Sequence, residues 1–256
     1  MNTRHFYTRT KFPFVLGLLA LLDFLAGGCT TATFSPQSES NHFMDVTDIE
    51  NPVTGLRTAT FTDWHETSPE TTPLARVRNN GPCAESKAYK LYAGGVHWQE
   101  MPVTYRLDSS VTNQAWKNAI RQAFATWSAA VTSLSFREDE NSSNIVSWGT
   151  IDGPGRALAQ TSFTYQGTQM VSFSILFDAS ESWGILGADI CPTVQGKTID
   201  IQDIATHEIG HALGLGHTGS RKDRALTMYP SAQPGETLKR SLGAGDKAGV
   251  AALYGP

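Results

Sequence analysis

The chain has 256 residues and a formal net charge of -4. That length supports one sizeable domain with extensions, and an acidic balance with no basic cluster argues against nucleic acid as a partner. At the N-terminus Arg4, Arg9 and Lys11 precede an apolar run over residues 12–25, which Pro13 and Asp23 interrupt. The run is too short and too broken for a comfortable membrane span and reads as an export signal. Residues 30–80 are rich in Thr, Ser, Pro and Asn, with sparse apolar residues and no sustained period. A tether or short pro-segment, largely irregular, is therefore expected over residues 29–95, with Phe61 and Trp64 as candidates for docking on the domain.

Further along, Pro102-Val103-Thr104-Tyr105-Arg106-Leu107 alternates apolar and polar residues and predicts a strand. Trp116, Ile120, Phe124, Trp127 and Val131 recur at helical spacing and predict a long amphipathic helix packed on a sheet, its aromatics serving as core. The stretch His207-Glu208-Ile209-Gly210-His211-Ala212-Leu213-Gly214-Leu215-Gly216-His217 is the most informative of all. If residues 203–213 are helical, His207 and His211 stand one turn apart on one face and can converge on one ion, with Glu208 beside it. Ala205, Ile209, Ala212 and Leu213 give the opposite face an apolar stripe to bury. Gly214 falls where the helix must end and suits a left-handed reversal, after which His217 can return as a third ligand.

Three neutral imidazoles leave the full divalent charge on a zinc ion, whose remaining position would take a water with a pKa near 7. Glu208 would accept that water's proton during attack on a carbonyl and pass it to the departing amine. The pattern therefore predicts one catalytic zinc held by His207, His211 and His217, with Glu208 as the catalytic residue.

On these residues the sequence resembles the metzincins and, within them, the matrixins, over residues 96–255. The resemblance implies an α+β zincin fold, with a twisted mixed sheet, a long helix, an active-site helix and a C-terminal helix over residues 96–256. It implies zinc-dependent endopeptidase activity on protein or peptide substrates. Thr218 stands where the family usually has serine. Ala225-Leu226-Thr227-Met228-Tyr229-Pro230 is similar to the family's methionine turn and makes Met228 a floor beneath the histidines. The interval from His217 to Met228 is longer than in vertebrate members, so a bulge at Arg221, Lys222, Asp223 and Arg224 is expected. Ser135-Phe136-Arg137-Glu138 resembles the strand after the long helix, and residues 246–255 resemble the closing helix.

The same resemblance implies a calcium site from Asp152, Asp178 and Glu181 with carbonyls of Gly153, Gly155 and Ala157, within the six to eight oxygens that calcium takes. It makes residues 157–161 an edge strand on which substrate lies, with Leu158, Ala159, Tyr229 and Pro230 at the substrate. The family's second, structural zinc is expected to be absent, because Gln160 and Leu176 replace two of its histidines.

Leu25-Ala26-Gly27-Gly28-Cys29 is similar to the lipobox of bacterial lipoproteins. It implies a signal peptide over residues 1–28, lipidation of Cys29 and anchorage to the bacterial cell envelope, at the outer membrane or cell surface. A plain secretory signal is the alternative, and a monomer is expected in either case. Cys83 and Cys191 then remain as an even pair for a disulfide in an oxidising compartment. The rival assignment for Cys83 is the family's latency cysteine, although Gly81-Pro82-Cys83-Ala84-Glu85 keeps little of that motif. Two other functions stay open beside the endopeptidase: a catalytically inert zinc-binding adhesin or scaffold, and hydrolysis of another amide such as a cell-wall crosslink.

Overall fold

The computed structural model describes residues 45–66, 86–187 and 197–255. Cys29, Cys83, Cys191 and the signal segment lie outside the described residues. In chain order the strands and helices are β1 (Asp45–Glu50), β2 (Arg57–His65), β3 (Lys90–Leu91), β4 (Val103–Leu107), α1 (Gln114–Ser128), β5 (Phe136–Glu138), β6 (Ile145–Gly149), β7 (Ala157–Gln166) and β8 (Gln169–Asp178). There follow β9 (Trp183–Gly184), β10 (Ile199–Asp200), α2 (Ile201–Ala212), β11 (Leu215–Gly216), β12 (Ser231–Ala232) and α3 (Ala244–Tyr254). Among the described residues no helix is long and apolar enough to cross a membrane.

One sheet organises the fold, in the order β1-β2-β7-β8-β6-β4-β5, with β12 alongside β2. β4, β5, β6 and β8 run parallel, whereas β7, β2 and β1 join by antiparallel pairings. Parallel neighbours need a crossover, and α1 supplies one between β4 and β5. Asn113 starts α1 by accepting from the backbone N–H groups of Ala115 and Trp116. The helix then buries Ala119, Ile120, Ala123, Phe124 and Trp127, much as the spacing predicts. Phe124 stacks on Tyr105 of β4 at 3.8 Å between ring centres, and the Trp127 indole N–H donates to the Thr206 carbonyl at 2.7 Å. Trp127 thereby locks α1 to the middle of α2. The expected α+β architecture, with a mixed sheet, a long helix, the motif helix and a closing helix, is present.

The structure corrects the expectation that residues 29–95 are largely irregular, because residues 45–65 form a hairpin. Thr58, Thr60, Phe61, Thr62 and Trp64 are β-branched or aromatic, while Ala59, Phe61 and Asp63 alternate inward and are buried. An isolated hairpin is marginal in water, and this one gains stability by adding to β7, with Phe61 opposite Thr161 and Asp63 opposite Ala159. The expected substrate edge at residues 157–161 is consequently an inner strand, covered by the chain's own N-terminal segment. The two-faced character expected of the motif helix also changes. Every residue of α2 except Gln202 is buried, since the hairpin covers the histidine face as the core covers the other.

Replacing Trp127 by alanine removes the largest fully buried side chain and its bond to α2. The expected cost is about 3–5 kcal/mol, read as a lowered midpoint with unchanged slope in urea unfolding.

Candidate metal centre

Asp200 opens α2 by accepting from the Asp203 backbone N–H at 2.9 Å, and Arg240 grips the same carboxylate at 2.7 and 2.5 Å. With its start so fixed, the helix presents His207 and His211 one turn apart. Gly214 then adopts φ +95, and a side chain there would lie 1.8 Å from the Val96 carbonyl oxygen. Only glycine combines that backbone conformation with that close approach. The reversal carries His217 back over the helix.

The three Nε2 atoms converge, at 3.1 Å for His207–His211, 3.2 Å for His207–His217 and 2.9 Å for His211–His217. Their opposite ring nitrogens are held outward in two cases. His207 Nδ1 donates to the Thr227 carbonyl at 2.5 Å and His211 Nδ1 to the Leu215 carbonyl at 2.8 Å. With the proton on Nδ1, each Nε2 is left as a bare lone pair, the form a metal binds. Burial holds all three histidines below their ordinary pKa and so keeps them neutral. Neutral lone pairs this close repel one another unless a cation lies between them. Donors about 2.0–2.1 Å from a tetrahedral zinc stand about 3.3 Å apart, close to the spacing observed.

Met228 is buried against α2 at Gly210. A side chain on Gly210 would lie 2.3 Å from the Met228 sulfur and 2.9 Å from the Trp127 ring, so the glycine between the two histidines is what lets the turn approach. Thr218 ties the His217 segment to that turn, its N–H donating to the Met228 carbonyl at 2.9 Å. Asp246 at the start of α3 accepts from the N–H groups of Thr227, Met228 and Gly243 at 2.8, 3.1 and 2.8 Å. It thereby fixes the Thr227 carbonyl that orients His207. The loop expected to bulge forms a short 3-10 turn at Arg221–Asp223, with Asp223 buried and bonded to the Ser86 hydroxyl at 2.5 Å.

Glu208 is fully buried, and burial, reinforced by the charge of Asp63, pushes its pKa well above the usual carboxylate range. The Thr161 hydroxyl of β7 donates to its Oε2 at 2.5 Å, while Oε1 has no partner. Asp63 of β2 completes the cluster. Its Oδ1 lies 2.8 Å from His217 Nε2 and 3.0 Å from His207 Nε2, and its Oδ2 lies 3.5 Å from His211 Nε2. Among the described residues, Asp63, His207, His211 and His217 are the one group of three or more His, Cys, Asp or Glu side chains whose ligand atoms all lie within 4.8 Å.

The matrixin family model matches residues 97–255, which include this whole centre apart from Asp63 and the hairpin. The chain belongs to the matrixin family. It is 32% identical to Metalloendoproteinase 1-MMP of Arabidopsis thaliana over 180 residues, 66% of this chain and 47% of that protein. It is also 32% identical to Matrix metalloproteinase-19 of Mus musculus over 173 residues, 62% of this chain and 29% of that protein. With Metalloendoproteinase 1 of Glycine max the identity is 32% over 154 residues, 56% of this chain and 47% of that protein. The chain thus spans less than half the length of these relatives.

The remaining expected residues of this matrixin lie on β7, beside β12 and at the ends of β7 and β8. Leu158 and Ala159 are buried in β7, Pro230 is buried and Tyr229 half-buried just before β12. Lys239, itself buried, holds β12 by donating to the Ser231 carbonyl at 2.8 Å. The expected calcium ligands come from two neighbouring segments, before β7 and at the end of β8, and accept N–H donors there. Asp178 Oδ2 accepts from Ile151 and Asp152 at 3.2 and 3.1 Å, and its Oδ1 from the Ser180 backbone at 2.8 Å. Glu181 Oε1 accepts from Gly155 at 2.5 Å, Glu181 Oε2 accepts from His65 at 2.7 Å, and Asp152 Oδ1 accepts from Ala157 at 3.1 Å. These hydrogen bonds tie the segment before β7 to the end of β8. Sequence reasoning missed Asp63, Thr161 as the partner of Glu208, and Asp246 as the brace of the methionine turn.

Asp246→Ala leaves three buried N–H groups without an acceptor and frees the Thr227 carbonyl. A stability loss of about 1–3 kcal/mol is expected, with weaker zinc retention in competition with a chromogenic chelator.

Proposed function

We propose that this chain is an exported zinc-dependent endopeptidase that hydrolyses peptide bonds in proteins. The observation that carries the reading is the convergence of three neutral imidazole Nε2 atoms within 3.2 Å beside the buried carboxylate of Glu208. Zinc held by His207, His211 and His217 would supply a Lewis acid that polarises a carbonyl and acidifies water. The chain's own groups do the rest. Glu208, oriented by Thr161, takes a proton from the attacking water and hands it to the leaving amine nitrogen. A carboxyl whose pKa burial raises above the usual carboxylate range is suited to returning that proton to the leaving amine. A peptide would lie as a strand between β7 and β12, with main-chain hydrogen bonds giving affinity and the wall near Tyr229 and Pro230 receiving a side chain.

A structural calcium held by Asp152, Asp178 and Glu181 with carbonyls of Gly153, Gly155 and Ala157 belongs to the same proposal, since each carboxylate keeps lone pairs beyond the N–H groups it accepts. Export rests on Arg4, Arg9 and Lys11 ahead of the apolar run, and envelope anchorage on Cys29. Intact-mass analysis of membrane-extracted protein should show acyl chains added at Cys29, and a Cys29→Ser variant should leave the membrane fraction. A Cys83–Cys191 disulfide belongs to the same extracytoplasmic proposal and predicts no free thiol at either position under denaturing alkylation.

One observation favours a second reading. Four side chains, Asp63 with the three histidines, converge on the centre, and a fourth protein ligand is the habit of structural zinc sites and fits the inert surface protein. The full chain, before and after limited proteolysis, separates the two. Chelator-sensitive casein hydrolysis, lowered about 10²–10⁴-fold by Glu208→Gln with zinc still bound at one per chain, is the expected result. One zinc per chain with no hydrolysis in any preparation moves the assignment to the scaffold.

A further inference from the structure

We propose that Asp63 is the fourth ligand of the zinc centre and that the hairpin β1–β2 keeps the peptidase latent by lying in its substrate groove. The inference rests on the peptidase reading above and concerns control of the same site.

The first support is electrostatic. Asp63 is 3% exposed, and its carboxylate oxygens lie 2.8, 3.0 and 3.5 Å from the Nε2 atoms of His217, His207 and His211, beside the carboxyl of Glu208. A buried carboxylate needs a compensating charge, yet Asp63 Oδ2 and Glu208 Oε1 both lack a hydrogen-bond partner. The orphaned oxygen of Asp63, beside three inward lone pairs, is satisfied by one divalent cation. Three imidazoles and one carboxylate are also a donor set that zinc accepts.

The second support is the path of the strand. β2 runs antiparallel to β7 and parallel to β12, so its end is paired on both sides. The His65 N–H donates to the Arg156 carbonyl at 2.9 Å and the Glu66 N–H to the Ala232 carbonyl at 3.1 Å. Residues 63–66 therefore make the main-chain bonds that a bound peptide would make, while Asp63 takes the coordination position that the attacking water needs. The ring of Phe61 lies 4.0 Å from that of His211, nearly parallel, and meets His217 edge-on at 5.6 Å.

A third support is that the hairpin is latched at both ends. Asp48 accepts from the hydroxyls of Tyr92 and Tyr165 at 2.7 and 2.6 Å and pairs with Arg57 at 3.1 Å. At the other end Glu66 pairs with Arg224 at 2.6 Å and accepts from Gln233 at 2.9 Å. Tethered in this way, the carboxylate meets the metal at high effective concentration without needing intrinsic affinity.

The test uses the full chain loaded with cobalt(II), whose visible absorption reports the ligand set, and casein hydrolysis by the zinc form. Asp63→Ala should shift the cobalt bands and raise hydrolysis by about tenfold or more over the unaltered chain. Asp63→Asn serves as the second variant, with circular dichroism confirming that each is folded. Asp48→Ala, far from the metal, should raise hydrolysis while leaving the cobalt bands unshifted in the closed form. Unchanged bands and rates in folded Asp63 variants overturn the proposal. So does a sulfur-to-cobalt charge-transfer band in the unaltered chain that disappears in Cys83→Ser, because the ligand would then be the cysteine. Shifted bands with no hydrolysis by any variant refute the peptidase reading and leave the ligation by Asp63 standing.

Discussion

Three uncharged imidazole nitrogens forced within 3.2 Å of one another are the constraint around which this molecule is arranged. Nothing in their mutual contact is attractive, so the surroundings must hold them there. Two rings are pinned from behind by the carbonyls of Thr227 and Leu215. Gly214 turns the chain without a side chain, and Gly210 admits Met228 against the helix. Asp246 clamps the turn that carries Thr227 and Met228. Each device orients a lone pair inward, and the combined effect is a pocket prepared for a cation before one arrives.

The same crowding explains why the hairpin docks where it does. A helix bearing inward histidines on one side and Ala205, Ile209 and Ala212 on the other would ordinarily leave the first side wet. Here Phe61 covers His211 and Asp63 reaches the nitrogens, so α2 is enclosed on both faces. The sheet pays no penalty for an open edge along β7, because β2 supplies the missing partner. Enclosure of the centre and completion of the sheet are thus one event, achieved by a segment outside the span of the family match.

The zinc motif was legible because its chemistry is written in local spacing: residues four apart on a helix share a face, and a glycine marks the reversal. Met228 was legible by its place after that motif. Asp63 was not, since it meets His207 across 144 residues of chain, and a single aspartate in a polar segment carries no spacing to read. The alternation of Ala59, Phe61 and Asp63 was a strand signal, but Thr at every intervening position made the stretch resemble a polar tether. Thr161 was likewise invisible as the partner of Glu208, because only the tertiary fold brings β7 beneath α2.

Dividing the hold between a metal ligand and a long strand has a consequence for how such a segment could be released. Ligation is local and strong, concentrated in one carboxylate at the centre of the groove. Strand pairing along β7 is extended, and its latches at Asp48 and Glu66 lie at opposite ends of the hairpin. Loss of either component alone shifts the hairpin toward the open groove without abolishing closure, because the other component still favours docking. Loss of the connection between hairpin and domain removes neither contact. It lowers the effective concentration that keeps both engaged, so the hairpin, once dissociated, would no longer be compelled to return. A chain break beyond Glu66 is therefore more decisive than any single altered contact, and it converts an equilibrium between closed and open groove into a one-way departure.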